Sequence, residues 1–295
     1  MNWVVAAGGA IQNQRHVQPL SNSLKTMTPY LFPDYQVAGA GDTTVFLLHG
    51  AYGGKDYFRH EIEALVQQGL RVVAWDAPGY GISPLPEHLT IDGLAEAAAR
   101  LIQAQGTATN ILVGHSMGGI VAPAVCGRIP ALVHGLVISA TVASFSQKTE
   151  AEKAIFLEER IAPLNRGQSF RETAGAVVAS MFAPGSQGPK VELVREVALS
   201  TRKETFVAAI SAIVHYEGVP ALRAIHCPTL LVAGAHDKVG KPEAMARMVE
   251  FVPHANYVQV DHAGHYAFAE QQDVFNQHLL AFIGEVQAKQ RAAQP

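Results

Sequence analysis

Ser116 stands between two glycines in Gly114-His115-Ser116-Met117-Gly118, where an apolar run ending at Val113 meets a second run of small and apolar residues. A lone hydroxyl in the pattern G-x-S-x-G, at the point where a strand turns straight into a helix, reads as a nucleophile elbow. The turn strains the serine backbone, and the residues two positions away must be nearly free of side chains for strand and helix to close on each other. An aliphatic hydroxyl is a poor nucleophile at neutral pH. Ser116 therefore needs a base, a carboxylate to orient that base, and donors for the oxyanion that forms on attack at a carbonyl.

Thirteen histidines compete for the role of base. His265, in VDHAGHYAF, follows a strand-like run on a glycine-preceded loop that opens into the last helix. That placement puts it at the C-terminal edge of a parallel sheet, where α/β sites form. Its neighbour His262 reads as a loop histidine. Together the two make H-x-x-H, but no H-E-x-x-H and no third ligand accompany them, so no metal is expected. For the acid, Asp237 in LLVAGAHDKVG directly follows an apolar run and a glycine turn, in the chain order serine, acid, histidine. The alternative slot, SATVAS after residues 133–138, offers no carboxylate. The oxyanion donors expected are the backbone N–H of Met117, after the nucleophile, and that of Ala51 in HGAYGG. Backbone donors leave no side-chain signature, so this pair rests on position. Tyr52 beside that loop, His115 beside the serine, Phe145, Phe182, and Tyr266 beside His265 are candidates to line a substrate pocket. Packing into core or insert competes as the role of each.

These residues must be carried by elements, and the periodicity supplies them. Residues 43–48, 71–75, 110–113, 133–138, 229–233 and 256–260 are mostly continuous apolar runs, as expected of parallel strands covered on both faces. Ile91, Leu94, Ala98, Leu101 and Ile102 share one helical face with Thr90 as N-cap, and Phe275, Leu279, Phe282, Ile283 and Val286 form another. Strand alternating with helix predicts an α/β doubly wound sheet. Residues 141–222 break the rhythm: three helical stretches follow one another with no strand between them, which predicts an all-helical lid over the sheet edge. The expected organisation is thus an appendage over 1–30, disordered or draped on the surface, a core over 31–140 and 223–290, and a helical cap over 141–222.

The bulk numbers exclude several classes. With 48% hydrophobic and 16% charged residues and a net charge of −3, nothing points to nucleic acid or an anionic membrane surface as partner. No stretch reaches the roughly 18 apolar residues of a membrane span. Cys126 and Cys227 both sit in apolar surroundings, which reads as two small buried hydrophobes in a reducing cytoplasm. A small-molecule substrate, no cofactor, and either a monomer or a homodimer are the expectations.

Five segments, LLHGAYGG, WDAPGYGIS, VGHSMGG, AGAHDKVG and HAGHYAF, occur in an order that resembles the α/β-hydrolase superfamily from about residue 31 to 287. The resemblance implies a mostly parallel eight-stranded sheet with a helical cap inserted after strand 6, and a triad of Ser116 as nucleophile, Asp237 as orienting acid and His265 as base. It also implies that the turn Asp76-Ala77-Pro78-Gly79-Tyr80-Gly81 shapes the sheet edge and takes no part in catalysis. Motif wording is similar to carboxylesterases, enol-lactonases and carbon–carbon bond hydrolases of aromatic degradation. The last group often carries Asn before the nucleophile; His115 here favours an ester or lactone. Serine at 116 in place of aspartate argues against epoxide hydrolases and haloalkane dehalogenases. The expected activity is cofactor-free ester hydrolysis through an acyl-enzyme. The alternatives are carbon–carbon hydrolysis of ring-cleavage products and a non-catalytic small-molecule receptor on the same fold.

Overall fold

A computed structural model describes residues 32–145 and 148–293, together with two short backbone strands, β1 (Asn2–Val5) and β2 (Ile11–Gln14), paired antiparallel. The remainder of the expected N-terminal appendage lies outside the described residues. Seven strands form the main sheet: β3 (Asp34–Ala38), β4 (Thr43–Leu48), β5 (Arg71–Asp76), β6 (Thr109–His115), β7 (Gly135–Ser139), β8 (Thr229–Gly234) and β9 (Ala255–Val260). Their order is β3-β5-β4-β6-β7-β8-β9, with β3 antiparallel to β5 and every other pair parallel.

Every residue of β4, β6, β7 and β8 is buried. Because successive side chains point to opposite faces, this requires cover on both sides, which is what their unbroken apolar runs signal. The cover comes from helices α1 (Arg59–Gln67), α2 (Ile91–Gln105), α3 (Met117–Arg128) and α11 (Gln272–Ala293). α1 lies along β5, α3 on β6 and β7 with α2 packed against it, and α11 on β6, β7 and β9. α2 starts where the sequence pattern places it, with the Thr90 hydroxyl accepting the Gly93 N–H at 3.0 Å.

Two features correct the sequence expectations. The sheet has seven strands among the described residues, where the family resemblance implied eight. The strand absent from the sequence reading, β3, is an edge strand in which Asp34 and Gln36 interrupt the apolar run. Residues 141–222 contain no strand among those described, and the third helical stretch divides into two helices at Ser200–Arg202. Between β7 and β8 the chain forms α4 (Glu150–Asn165), α5 (Phe170–Met181), α6 (Pro189–Leu199), α7 (Lys203–Val214) and α8 (Val219–Arg223). Capping boxes start α4 at Thr149 with Glu152 and α5 at Ser169 with Glu172. The insert reaches the β4 loop, since the Tyr52 ring packs 4.5 Å from Phe206 of α7. Among the described residues no helix is long and apolar enough to cross a membrane.

α1 turns one acidic side chain inward. Glu61 is 3% exposed, and burial pushes its carboxyl up to about 8, with the amides of Gln272 and Asn276 on α11 opposing the shift. The folded chain keeps a proton that the unfolded chain releases near the ordinary value of 4.5. The associated stability is complete below that pH and is lost as pH rises towards about 8. Glu61→Gln is expected to raise the thermal midpoint above that of the parent by a margin that widens between about pH 5 and pH 8. Thermal melts showing the same margin at both ends would refute the burial of a neutral carboxyl there.

Candidate active site

The turn from β6 into α3 is as tight as its glycines suggest. Ser116 has φ 54 and ψ −115, a left-handed backbone that a residue with a side chain adopts only when its surroundings enforce it. The enforcement is steric. A Cβ on Gly114 would collide with the Gly118 carbonyl, and one on Gly118 would collide with the Leu48 carbonyl at the end of β4. One on Gly50 would lie 2.8 Å from the Ser116 Cβ. Strand, elbow and β4 loop therefore meet backbone to backbone, with Ser116 partly exposed at the summit.

In the β4 loop and at the start of α3, the N–H groups of Ala51 and Met117 have no protein acceptor among the described residues. Met117 is the first residue of α3, where helical geometry leaves the N–H free. Ala51 belongs to a loop tethered on both sides. The Gly50 N–H donates to the Tyr57 hydroxyl at 2.8 Å, and the Tyr80 hydroxyl donates to the Ala51 carbonyl at 3.0 Å. His49 completes the tether. Its Nε2 accepts the Ala77 N–H at 3.0 Å, which leaves Nδ1 protonated to donate to the Gly50 carbonyl at 2.8 Å. Burial pulls the His49 imidazole down to about 4, so it is neutral at physiological pH.

His265 and Asp237 come from loops after β9 and β8 and meet with Nδ1 2.9 Å from Oδ2. Both are buried, at 3% and 4% exposure. Burial opposes ionisation of Asp237, but the His265 imidazole and the N–H groups of Val239 and Gly240, both donating to Oδ1, outweigh it and hold the carboxyl below its ordinary range. An ionised Asp237 requires the proton on His265 Nδ1, so Nε2 carries the lone pair. The His265 loop is held in turn by Glu270. Its carboxylate accepts from the Gly264, Tyr266 and Ala183 N–H groups and the Ser186 hydroxyl at 2.6–3.0 Å. The His265 N–H donates to the Met181 carbonyl at 2.7 Å.

No hydrogen bond joins Ser116 to His265 among the described residues; the ring of His115, the residue before the serine, lies 4.8 Å from that of His265. His115 is 1% exposed and both its ring nitrogens lack a hydrogen-bond partner. It sits among Tyr57, Tyr266 and Phe268. Burial, with His265 and His49 nearby, drives its imidazole well below the ordinary value, so it carries no charge.

Of the aromatic candidates, Tyr266 meets His265 edge to face with centroids 5.1 Å apart and Phe182 lies 4.9 Å from Tyr266, which brings both to the histidine side of the site. Tyr52 lies in the β4 loop against Phe170 and Phe206. Phe145 pairs with Phe156 of α4, inside the insert. His262 is exposed, with φ 58. Asp76, in the turn after β5, accepts the Lys55 N–H at 2.9 Å and pairs with the Lys55 ammonium, which also reaches Asp34 at 2.8 Å. That buried cluster anchors the edge of the sheet. Sequence reasoning did not single out Tyr57, Glu270 or the imidazole of His49. Each acts on a backbone group far away in the chain, and no motif marks such a partner. Tyr57→Phe, which leaves the Gly50 N–H buried without its acceptor, is expected to cost about 1–3 kcal/mol. A urea titration with an unchanged midpoint would show that the tether is not held there.

A family model described as alpha/beta hydrolase fold matches residues 43–272. A Mycobacterium tuberculosis protein carrying the provisional name non-heme bromoperoxidase is 26% identical over 276 residues, covering 86% of this chain and 98% of its own. A protein of Azorhizobium caulinodans with the provisional name carbamate hydrolase is 29% identical over 259 residues, covering 85% and 95%. Among solved structures, a thermophilic esterase from Thermogutta terrifontis superposes with a TM-score of 0.76 at 26% identity, covering 86% of this chain and 93% of that one.

Proposed function

This chain belongs to the alpha/beta hydrolase fold family, and from that premise we propose that it is a serine hydrolase acting on a carboxylic ester, lactone or thioester of a small molecule. The observation that carries the reading is the buried His265–Asp237 hydrogen bond of 2.9 Å, which turns the basic nitrogen of His265 away from the carboxylate and leaves it available to a serine. Family members with esterase and carbamate hydrolase in their names lend support. Both bond types join a carbonyl carbon to a heteroatom and are open to the same attack.

In this reading Ser116 Oγ adds to the substrate carbonyl as His265 Nε2 takes its proton. The N–H groups of Ala51 and Met117 donate to the oxyanion, and collapse expels the alkoxide, which takes the proton back from Nε2. Water then repeats the sequence on the acyl-enzyme. Asp237 remains a carboxylate throughout, steadying the imidazolium and keeping its orientation. The hydrogen bond between Ser116 and His265 closes around substrate, as catalytic hydrogen bonds commonly do. Helices α4–α7 cap the site and bound the substrate.

Ser116→Ala is expected to lower turnover of a short-chain aryl ester by roughly 10⁴-fold or more, and a fluorophosphonate should label the parent once, at Ser116. Unchanged turnover in the variant, or labelling elsewhere, refutes the assignment. A pre-steady-state burst of aryl alcohol is the expected sign of the acyl-enzyme. Because only neutral imidazole accepts the serine proton, kcat/KM should fall towards acid. A profile flat towards acid removes His265 as the base.

A further inference from the structure

The acyl and alcohol parts of the substrate are unspecified by the reaction centre alone, and the insert bears on them. A cavity of about 230 Å³ opens beside Tyr52, the residue after Ala51. Leu164, Phe170, Val177 and Phe206 form its apolar walls; the polar remainder includes Glu159, Glu172 and Gln168, and Arg160 of α4 contributes the cation. Ser116 and His265 are not part of the lining; Tyr52, which follows Ala51 in the chain, is its lining residue from the β4 loop, so a substrate portion held here is remote from the bond that breaks.

Arg160 is held in place but poorly paired. Its guanidinium lies 3.6 Å over the Phe156 ring and donates through Nη1 to the Phe156 carbonyl at 3.1 Å, which uses one of five N–H donors. The side chain is only 23% exposed, and a partly buried cation is costly without a good counter-charge. Its carboxylate neighbour is Glu159, at 3.6 Å and 67% exposed. That separation is longer than the 2.7–2.9 Å of a charge-assisted hydrogen bond. Glu172 also borders the cavity, but its carboxylate accepts the Ser169 N–H and hydroxyl at 3.0 and 2.7 Å in the cap of α5. Tyr52 lies close enough to feel the guanidinium charge, and burial keeps its phenol protonated, a donor. With Glu159 turned to solvent and Glu172 engaged in the helix cap, a chamber offering a guanidinium, a phenol O–H and apolar walls suits a carboxylate on a short carbon chain.

We propose that Arg160 recognises a carboxylate on the substrate, distal to the scissile bond, so that the preferred substrate is an acidic half-ester or a lactone acid. This rests on the hydrolase reading above. The test compares two aryl esters of equal length, p-nitrophenyl hydrogen glutarate and p-nitrophenyl pentanoate. The parent should favour the glutarate in kcat/KM by about 10-fold or more. Arg160→Gln should shrink the glutarate-to-pentanoate ratio by roughly 10- to 100-fold, mainly through KM. Arg160→Lys should fall between, keeping the charge without the fork.

A parent that prefers pentanoate, or a ratio unmoved by Arg160→Gln, overturns the proposal while leaving the hydrolase reading intact. Turnover of neither ester by the parent overturns both. The parent alone supplies a second measurement independent of the variant's folding: free glutarate should inhibit pentanoate hydrolysis competitively, and glutaramide should not. Equal inhibition by the two, or none by glutarate, overturns the proposal.

Discussion

Where β4 ends, the Leu48 carbonyl and the backbone of Gly118 pass each other with no room for a methyl group, and Gly114 and Gly118 face each other just as closely across the elbow. This contact between main chains sets the rest of the site. It lets α3 begin directly against the sheet and lifts Ser116 into a left-handed conformation at the summit. It also brings the β4 loop, through Gly50, against Ser116 at the start of α3. One side chain at any of these glycines would separate the elements whose close approach makes the geometry.

Around that contact the polar groups are buried, and burial makes their hydrogen bonds decisive. An imidazole or carboxylate removed from water is held in one protonation state by whatever it touches. His49 is kept neutral with a defined tautomer because one nitrogen accepts and the other donates. Asp237 stays ionised because three donors face it. Glu270 uses its carboxylate on four donors to hold the loop that carries His265. His115 departs from this pattern: it packs as a neutral aromatic against His265, with no hydrogen-bond partner among the described residues.

Much of this was legible before any coordinates. Continuous apolar runs located β4 to β8 because a strand covered on both faces has little polar side to show, and β9 was found although it is only partly covered. Thr90 marked the start of α2 because an N-cap needs a side-chain acceptor. The edge strand β3 escaped because Gln36 and the charged Asp34 interrupt its apolar run. The split between α6 and α7 escaped because Ser200–Arg202 interrupts a run whose helical propensity is nearly unbroken. An eighth strand was supplied by analogy with the superfamily, and the described sheet carries seven.

Local sequence by itself determined what depends on residues close in the chain: the alternation of strand and helix, the caps, and the serine framed by glycines. Those signals are steric and periodic, so they are written in consecutive residues. Tertiary structure alone decided which distant groups meet. It joined His265 to Asp237 across two loops, tied Gly50 to Tyr57, closed Glu270 over the histidine loop, and set Arg160 of the insert beside Tyr52 of the core. Such partnerships follow from how the sheet and helices stack in three dimensions, and a hydrogen bond between positions far apart leaves no mark on the residues that lie between them.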